Sequence, residues 1–216
     1  MSTVMASPVA PAVPPAPPPP SAPIEPMPEF YRLSVAQYHE MCRRGILGSG
    51  DRVELIEGIL VRKMTVNLPH IFAMHYLMRR FFGLLPVGYE VYVQSPITTP
   101  DSEPEPDVAV VRGDLRQFLV QDRKPGPEDT EILVEVSDSS LAFDRTTKLQ
   151  LYARAGVREY WIVDVEGRQV AVHSDPTGPG NAPTYQHRQD FIPGQEIPVS
   201  IDGREVGRIE VAELFL

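Results

Sequence analysis

The regular pattern of apolar and polar positions sets in only past residue 30. The run Leu33-Ser34-Val35-Ala36-Gln37-Tyr38 predicts a short helix, with Ser34 as N-cap, Gln37 completing a capping box and Gly45 as the stop. Residues 52–63 hold two β-prone runs meeting at Glu57-Gly58, which predicts a tight hairpin. From Asn67, with Pro69 tolerated in the first turn, Ile71, Met74, Met78, Phe81 and Leu85 recur at helical spacing. Phe72, Leu77 and Phe82 widen that stripe enough to cover a sheet.

Strands follow. Tyr89 to Gln94 is one; Asp107 to Arg112 and Glu131 to Val136 are apolar on both faces and hence central. The stretch from Gly113 to Thr130 mixes charges with Pro and Gly and predicts a loop. After a turn over 137–143, Asp144 caps a helix running to Ala155 and stopping at Gly156. Tyr160 to Asp164 is another buried strand, turned at Glu166-Gly167 into Val170 to His173. From Thr184 onward the pattern gives β-hairpins, with turns at Pro193-Gly194 and Asp202-Gly203. The core order is helix, strand, strand, strand, helix, strand, which predicts an α/β fold: a mixed sheet flanked by helices, with added hairpins.

Composition changes this picture in three places. Residues 1–29 form a Pro-rich tail, with 11 Pro before residue 29 and no Lys or Arg before Arg32, unsuited to a core and lacking the features of a signal peptide. Residues 30–216 form a single domain, in which no apolar run approaches the ~18 to 20 residues needed to span a bilayer, so no membrane partner is expected. The lone cysteine, Cys42, cannot form an internal disulfide, which fits a cytoplasmic protein; its place on an amphipathic helix predicts a packed thiol. The net charge of −9 weighs against broad contact with nucleic-acid phosphates.

The candidate chemistry lies at one sheet end. If the strands of Asp107 and Glu135 pair as an antiparallel hairpin, the start of the first lies beside the end of the second. The two carboxylates then sit side by side, where they repel unless a proton or cation intervenes. Oxygen ligands of that kind suit Mg²⁺ or Mn²⁺. Lys148, in the first turn of the helix capped by Asp144, opposes the helix dipole there, which suggests a use other than helix stability. The helix leaves from the end of the strand bearing Glu135, so this ammonium can reach the same pocket. His70, just ahead of the long helix, is placed where it can approach the site, but local hydrogen bonds at the helix start are the stronger expectation.

Five segments in order carry a family resemblance: Glu-Leu-Ile-Glu-Gly at 54–58, Ser-Glu-Pro-Glu-Pro-Asp-Val at 102–108, Val-Glu-Val-Ser-Asp-Ser-Ser at 134–140, Asp-Arg-Thr-Thr-Lys-Leu-Gln-Leu-Tyr-Ala-Arg-Ala-Gly at 144–156, and Glu-Tyr-Trp-Ile-Val-Asp at 159–164. Together they resemble the Uma-two-type restriction endonucleases of the PD-(D/E)XK nuclease superfamily. The resemblance implies the restriction-endonuclease-like αβββαβ core and metal-dependent hydrolysis of DNA phosphodiesters. Asp107 then matches the motif aspartate and Glu135 the second acidic ligand. The superfamily lysine two residues after the glutamate is replaced here by Ser137; Lys148 matches a lysine moved to the following helix. Glu54 resembles an additional upstream acidic residue. Many enzymes of this fold work as dimers, which adds a homodimer to the expected partners. The competing readings are a catalytically silent nuclease fold that binds DNA or a protein, and a metal-dependent hydrolase of another substrate.

Overall fold

The structure, a computed structural model, describes residues 30–48 and 50–215; the Pro-rich segment expected over 1–29 lies outside them. Helix α1 (Val35–Arg43) carries the predicted capping box, with Ser34 and Gln37 bonded reciprocally. It ends in a Schellman arrangement, the Gly45 and Ile46 N–H groups donating to the Cys42 and Met41 carbonyls. Cys42 itself is exposed rather than packed, because the helix buries only Tyr38.

Strands β1 (Val53–Ile56) and β2 (Ile59–Arg62) form the expected antiparallel hairpin. Glu57 and Gly58 both take positive φ, +49° and +76°, as a tight two-residue turn of this hand requires. Glycine is needed at 58 for a second reason: a Cβ there would stand 2.6 Å from the Arg32 Cβ and 2.9 Å from the Leu33 carbonyl oxygen.

Helix α2 (Leu68–Leu84) is capped by Asn67, whose side chain accepts from the His70 N–H. Its buried face is His70, Ala73, Met74, Leu77 and Phe81. The stripe is therefore rotated from the expected one: Phe82 is 81% exposed and Phe72 lies at the margin. Small Ala73 faces the sheet instead, allowing close approach. Leu77 and Phe81 are fully buried, each worth about 2 kcal/mol of transfer energy.

The main sheet contains β3 (Tyr89–Val93), β4 (Val108–Arg112), β5 (Thr130–Ser137), β6 (Glu159–Asp164), β7 (Gln169–Pro176) and β8 (Tyr185–Phe191), adjacent in that order. Only β5 and β6 run parallel, joined by a helical crossover; the other neighbours are antiparallel. Strict alternation sends Val108, Val110, Ile132, Val134 and Val136 toward α2, and Ala109, Val111 and Leu133 toward the crossover helix. One irregularity interrupts β4–β5: Val110 pairs with Ile132 but Val111 with Thr130, so Glu131 is the extra residue. Its buried carboxylate accepts from Arg112 and Arg158. A separate hairpin, β9 (Glu196–Ile201) and β10 (Arg204–Glu210), turns at Asp202-Gly203 and closes the α2 side of the core with Ile197, Val199 and Ile209. The Pro193-Gly194 turn links two sheets rather than two paired strands, since β8 pairs with β7.

Two local expectations are corrected. The stretch from Gly113 to Thr130 contains helix α3 (Leu115–Val120), capped by Asp114 through the Gln117 N–H at 2.7 Å. Only Phe118 of that helix is buried, so its apolar period is too faint to read. The crossover helix begins earlier than Asp144. It opens as α4 (Leu141–Phe143), widens into a π-helical turn over Asp144–Lys148, and continues as α5 (Leu149–Ala155) to a left-handed Gly156. Asp144 is no cap: it is buried, accepting from Ser137 Oγ at 2.8 Å and Ser140 Oγ at 2.5 Å. Lys148 therefore lies beyond the first turn, and the dipole argument for it does not apply.

Candidate active site

Strand alternation places the two acids. Val108 pairs with Val134, so the adjacent Asp107 and Glu135 lie at the same sheet end, Glu135 meeting the crossover helix and Asp107 meeting α2. Asp107 is fixed through both oxygens. Oδ2 accepts the Val136 N–H at 2.8 Å, and Oδ1 lies 3.0 Å from His70 Nε2. His70 thus reaches across from the first turn of α2 into the site, beyond the local role expected of it. The cue in the sequence was its place three residues after the Asn67 cap, on the face that α2 turns to the sheet.

Glu135 meets the crossover helix. Lys148 and Tyr152, four residues apart and so on one helix face, both donate to its Oε1, at 2.9 and 2.7 Å. The π-turn that ends at Lys148 sets where this face begins; such turns often mark functional positions. Glu54 arrives from β1. Its Oε2 accepts the Glu105 N–H at 3.0 Å, and its Oε1 stands 3.6 Å from Lys148 Nζ. The hairpin that carries it is bound by the Glu103 N–H donating to the Leu55 carbonyl, and by Arg154 of α5 bridging Glu57 and Asp101. Glu54 is buried, not an exposed hairpin carboxylate. The structure thus brings Asp107, Glu135, Lys148 and Glu54 to one cleft of about 340 Å³, which His70, Gln94 and Asp144 also line.

The electrostatics are lopsided. Glu54, Asp107, Glu135 and Asp144 share this space with one buried ammonium. Burial, reinforced by Asp144, Asp107 and Glu54, pushes the Glu135 carboxyl well above its usual range against the pull of Lys148. Burial alone would lower the Lys148 ammonium, but Glu135, Glu54 and Asp144 outweigh it and hold the charge. Burial and the neighbouring Glu135 keep the Tyr152 hydroxyl protonated, as its donated bond requires.

Such a surplus of hard oxygen donors suits a divalent cation. Among the described residues no group of three or more His, Cys, Asp or Glu is arranged to hold a metal by itself. Mg²⁺ does not demand such a cage; it binds through one or two carboxylates and keeps water or substrate phosphate in its other positions. Asp107 and Glu135 are the residues that could hold it.

The sheet order and helix placement are those of a known fold. A crystal structure described as a putative nuclease belonging to DUF820 from Anabaena variabilis superposes with a TM-score of 0.60, covering 84% of this chain and 97% of that one at 15% sequence identity. At that identity the likeness is one of fold. No curated protein matches the chain. A family model described as "Uma2: Putative restriction endonuclease" matches residues 35–203, most of the chain, and includes every residue of the cleft. The chain belongs to the Uma2 restriction-endonuclease family.

Proposed function

We propose that the protein is a metal-dependent endonuclease that hydrolyses DNA phosphodiester bonds. The observation carrying this reading is the convergence of Asp107 and Glu135 at one sheet end with the Lys148 ammonium 2.9 Å from the latter. Asp107 and Glu135 hold Mg²⁺ or Mn²⁺ in this reading. The cation, when bound, supplies Lewis-acid stabilisation of the phosphate's developing charge and eases deprotonation of water.

The chain's own groups do the rest. His70 and the Val136 N–H hold Asp107 in one rotamer, so the carboxylate needs no reorganisation during the reaction. Lys148, held 2.9 Å from Glu135, would orient the attacking water or pair a phosphate oxygen. Tyr152 keeps Glu135 aimed at the cleft. Glu54 positions Lys148 and ties the β1–β2 hairpin to the 103–105 segment.

A nucleic-acid substrate follows from the family. Among the described residues no helix is long and apolar enough to cross a membrane. A cytoplasmic location and a homodimer belong to the same proposal.

The test is a cleavage assay on plasmid and oligonucleotide DNA with Mg²⁺, Mn²⁺ or chelator. The parent protein should cut only with metal, and Asp107→Ala and Glu135→Ala should each abolish cutting. A parent that cuts nothing, or a Glu135→Ala protein as active as the parent, removes the proposal. Calorimetric titration with Mn²⁺ separates a silent module, which would bind no metal through these carboxylates, from a hydrolase of another substrate, which would bind metal and leave DNA intact.

A further inference from the structure

The floor and the rim of the cleft differ in character. Asp107, Glu135, Glu54 and Lys148 at its floor are each at most 8% exposed. Arg52 and Arg62, one on each side of the open end of the β1–β2 hairpin, line the rim and are exposed. The chain continuing from β2 adds an apolar wall: Met64 at 49% and Val66 at 40% exposure, with Phe143 lining the cleft from α4. The two segments bordering the cleft are also joined. Asn67 Nδ2 donates to Asp138 Oδ2 at 2.7 Å, and Ser139 Oγ to Met64 Sδ at 3.3 Å.

A duplex is stiff, with a persistence length of about 150 base pairs, and presents its phosphates on a regular outer surface. Seating one of those phosphates on a floor whose acids and ammonium are at most 8% exposed requires local melting of the duplex. An unpaired strand meets no such barrier. Its phosphates can follow cationic side chains while a splayed base lies against apolar ones, the pairing of surfaces that single-strand binders use. The overall charge of −9 agrees, since long contacts along a duplex call for a broad basic face and this rim offers only a short one.

We propose that the cleft admits an unpaired DNA strand, with Arg52 and Arg62 taking its phosphates and Met64, Val66 and Phe143 receiving a base. This rests on the nuclease reading for the chemistry at the floor, but the choice of strand is testable without it.

Binding is measured on the full chain in chelator, where no cutting occurs, by fluorescence anisotropy with a labelled 12-nucleotide strand, its blunt duplex, and the duplex with an unpaired overhang. The strand and the overhang should bind at least about tenfold tighter than the blunt duplex. Arg62→Gln should lower the slope of log affinity against log salt by about 0.7, one phosphate contact on a single strand. Met64→Ser and Val66→Ser, at exposed positions that the core does not need, should each weaken strand binding severalfold. Blunt duplex bound as tightly as the strand, absence of binding to the strand, or indifference to all three variants overturns the proposal. Cleavage of the same DNAs with Mg²⁺ separates the two readings. Blunt duplex cut as fast as single strand sinks the strand inference and spares the nuclease. Tight strand binding with no cutting does the reverse.

Discussion

His70 Nε2 and Asp107 Oδ1 lie 3.0 Å apart in the protein interior, across 37 positions of sequence. One stands in the first turn of α2 and the other just before β4, so this contact fixes the helix against the sheet end where the acids sit.

That contact makes His70 a positioning residue. His70→Ala should lower Mn²⁺ affinity and cleavage by about 10–100-fold, the usual effect of losing a group that orients a metal ligand. His70→Gln, which keeps an amide donor, should recover part of both. Equal metal binding by His70→Ala and parent, in calorimetry on proteins of matching thermal stability, would contradict this.

Lys148 neutralises buried charge even without metal. Lys148→Met leaves Glu135 without its cation, and since burial already raises that carboxyl, the loss of stability in chelator should be small in acid and grow as pH rises. Adding Glu135→Gln should restore much of that loss, since the amide oxygen can still accept from Tyr152. Additive losses in urea unfolding of the two single variants and the double would show that the pair is not coupled.

Two buried titratable groups on β6 and β7 work against each other. Burial pushes the Glu159 carboxyl up to about 7, opposed by the Trp161 indole N–H donating to it. Burial, with Arg188 adding, holds the His173 imidazole down to about 4. A raised carboxyl binds its proton more tightly in the fold, so the Glu159 contribution is present below about 4.5 and lost as pH rises through 7. A depressed imidazole gives a contribution present above 6.5 and lost as pH falls through 4. The parent should therefore show a shallow stability profile between. Glu159→Gln should make stability fall more steeply toward acid, and His173→Phe should make it fall from pH 5 to 7. Parallel urea-midpoint profiles for all three proteins would refute this.

Gly58 couples the hairpin turn to the site. Gly58→Ala must place a Cβ at φ +76° and 2.6 Å from the Arg32 Cβ, so it should destabilise by more than about 1 kcal/mol. Because β1 carries Glu54, cleavage should fall further than stability does. A variant that melts with the parent shows that the 32–33 segment yields easily.

The strands were legible in the sequence because β4 and β5 are apolar on both faces, and their hairpin pairing followed from order alone. That pairing is enough to set Asp107 beside Glu135. Lys148 was legible from the helix that leaves the Glu135 strand end, although the dipole argument offered for it fails, while Glu54 was legible only as a match to a family pattern. Their approach depends on the 101–105 segment and the π-turn, whose packing has no local period. The same turn hid the start of the crossover helix: Asp144 has the chemistry of a cap, yet the hydroxyls of Ser137 and Ser140 draw it inward. His70 was hidden because a histidine near a cap has local partners in any chain, and only the docking of α2 selects the distant one. Phe82 misled for the opposite reason, since large apolar residues at helical spacing signal burial and here one faces outward.

The extra residue in β5, Glu131, lies at the end of the strand remote from the carboxylate pair. Had the irregularity fallen between Val134 and Asp107's partner, every later side chain would have changed faces, and a valine would occupy the cleft in place of Glu135. Length variation in the 113–129 connection can thus be absorbed at the remote end, while a single deletion between Ile132 and Glu135 would erase the chemistry and invert the core together. Natural variants of this fold should tolerate insertions on one side of Ile132 and none on the other.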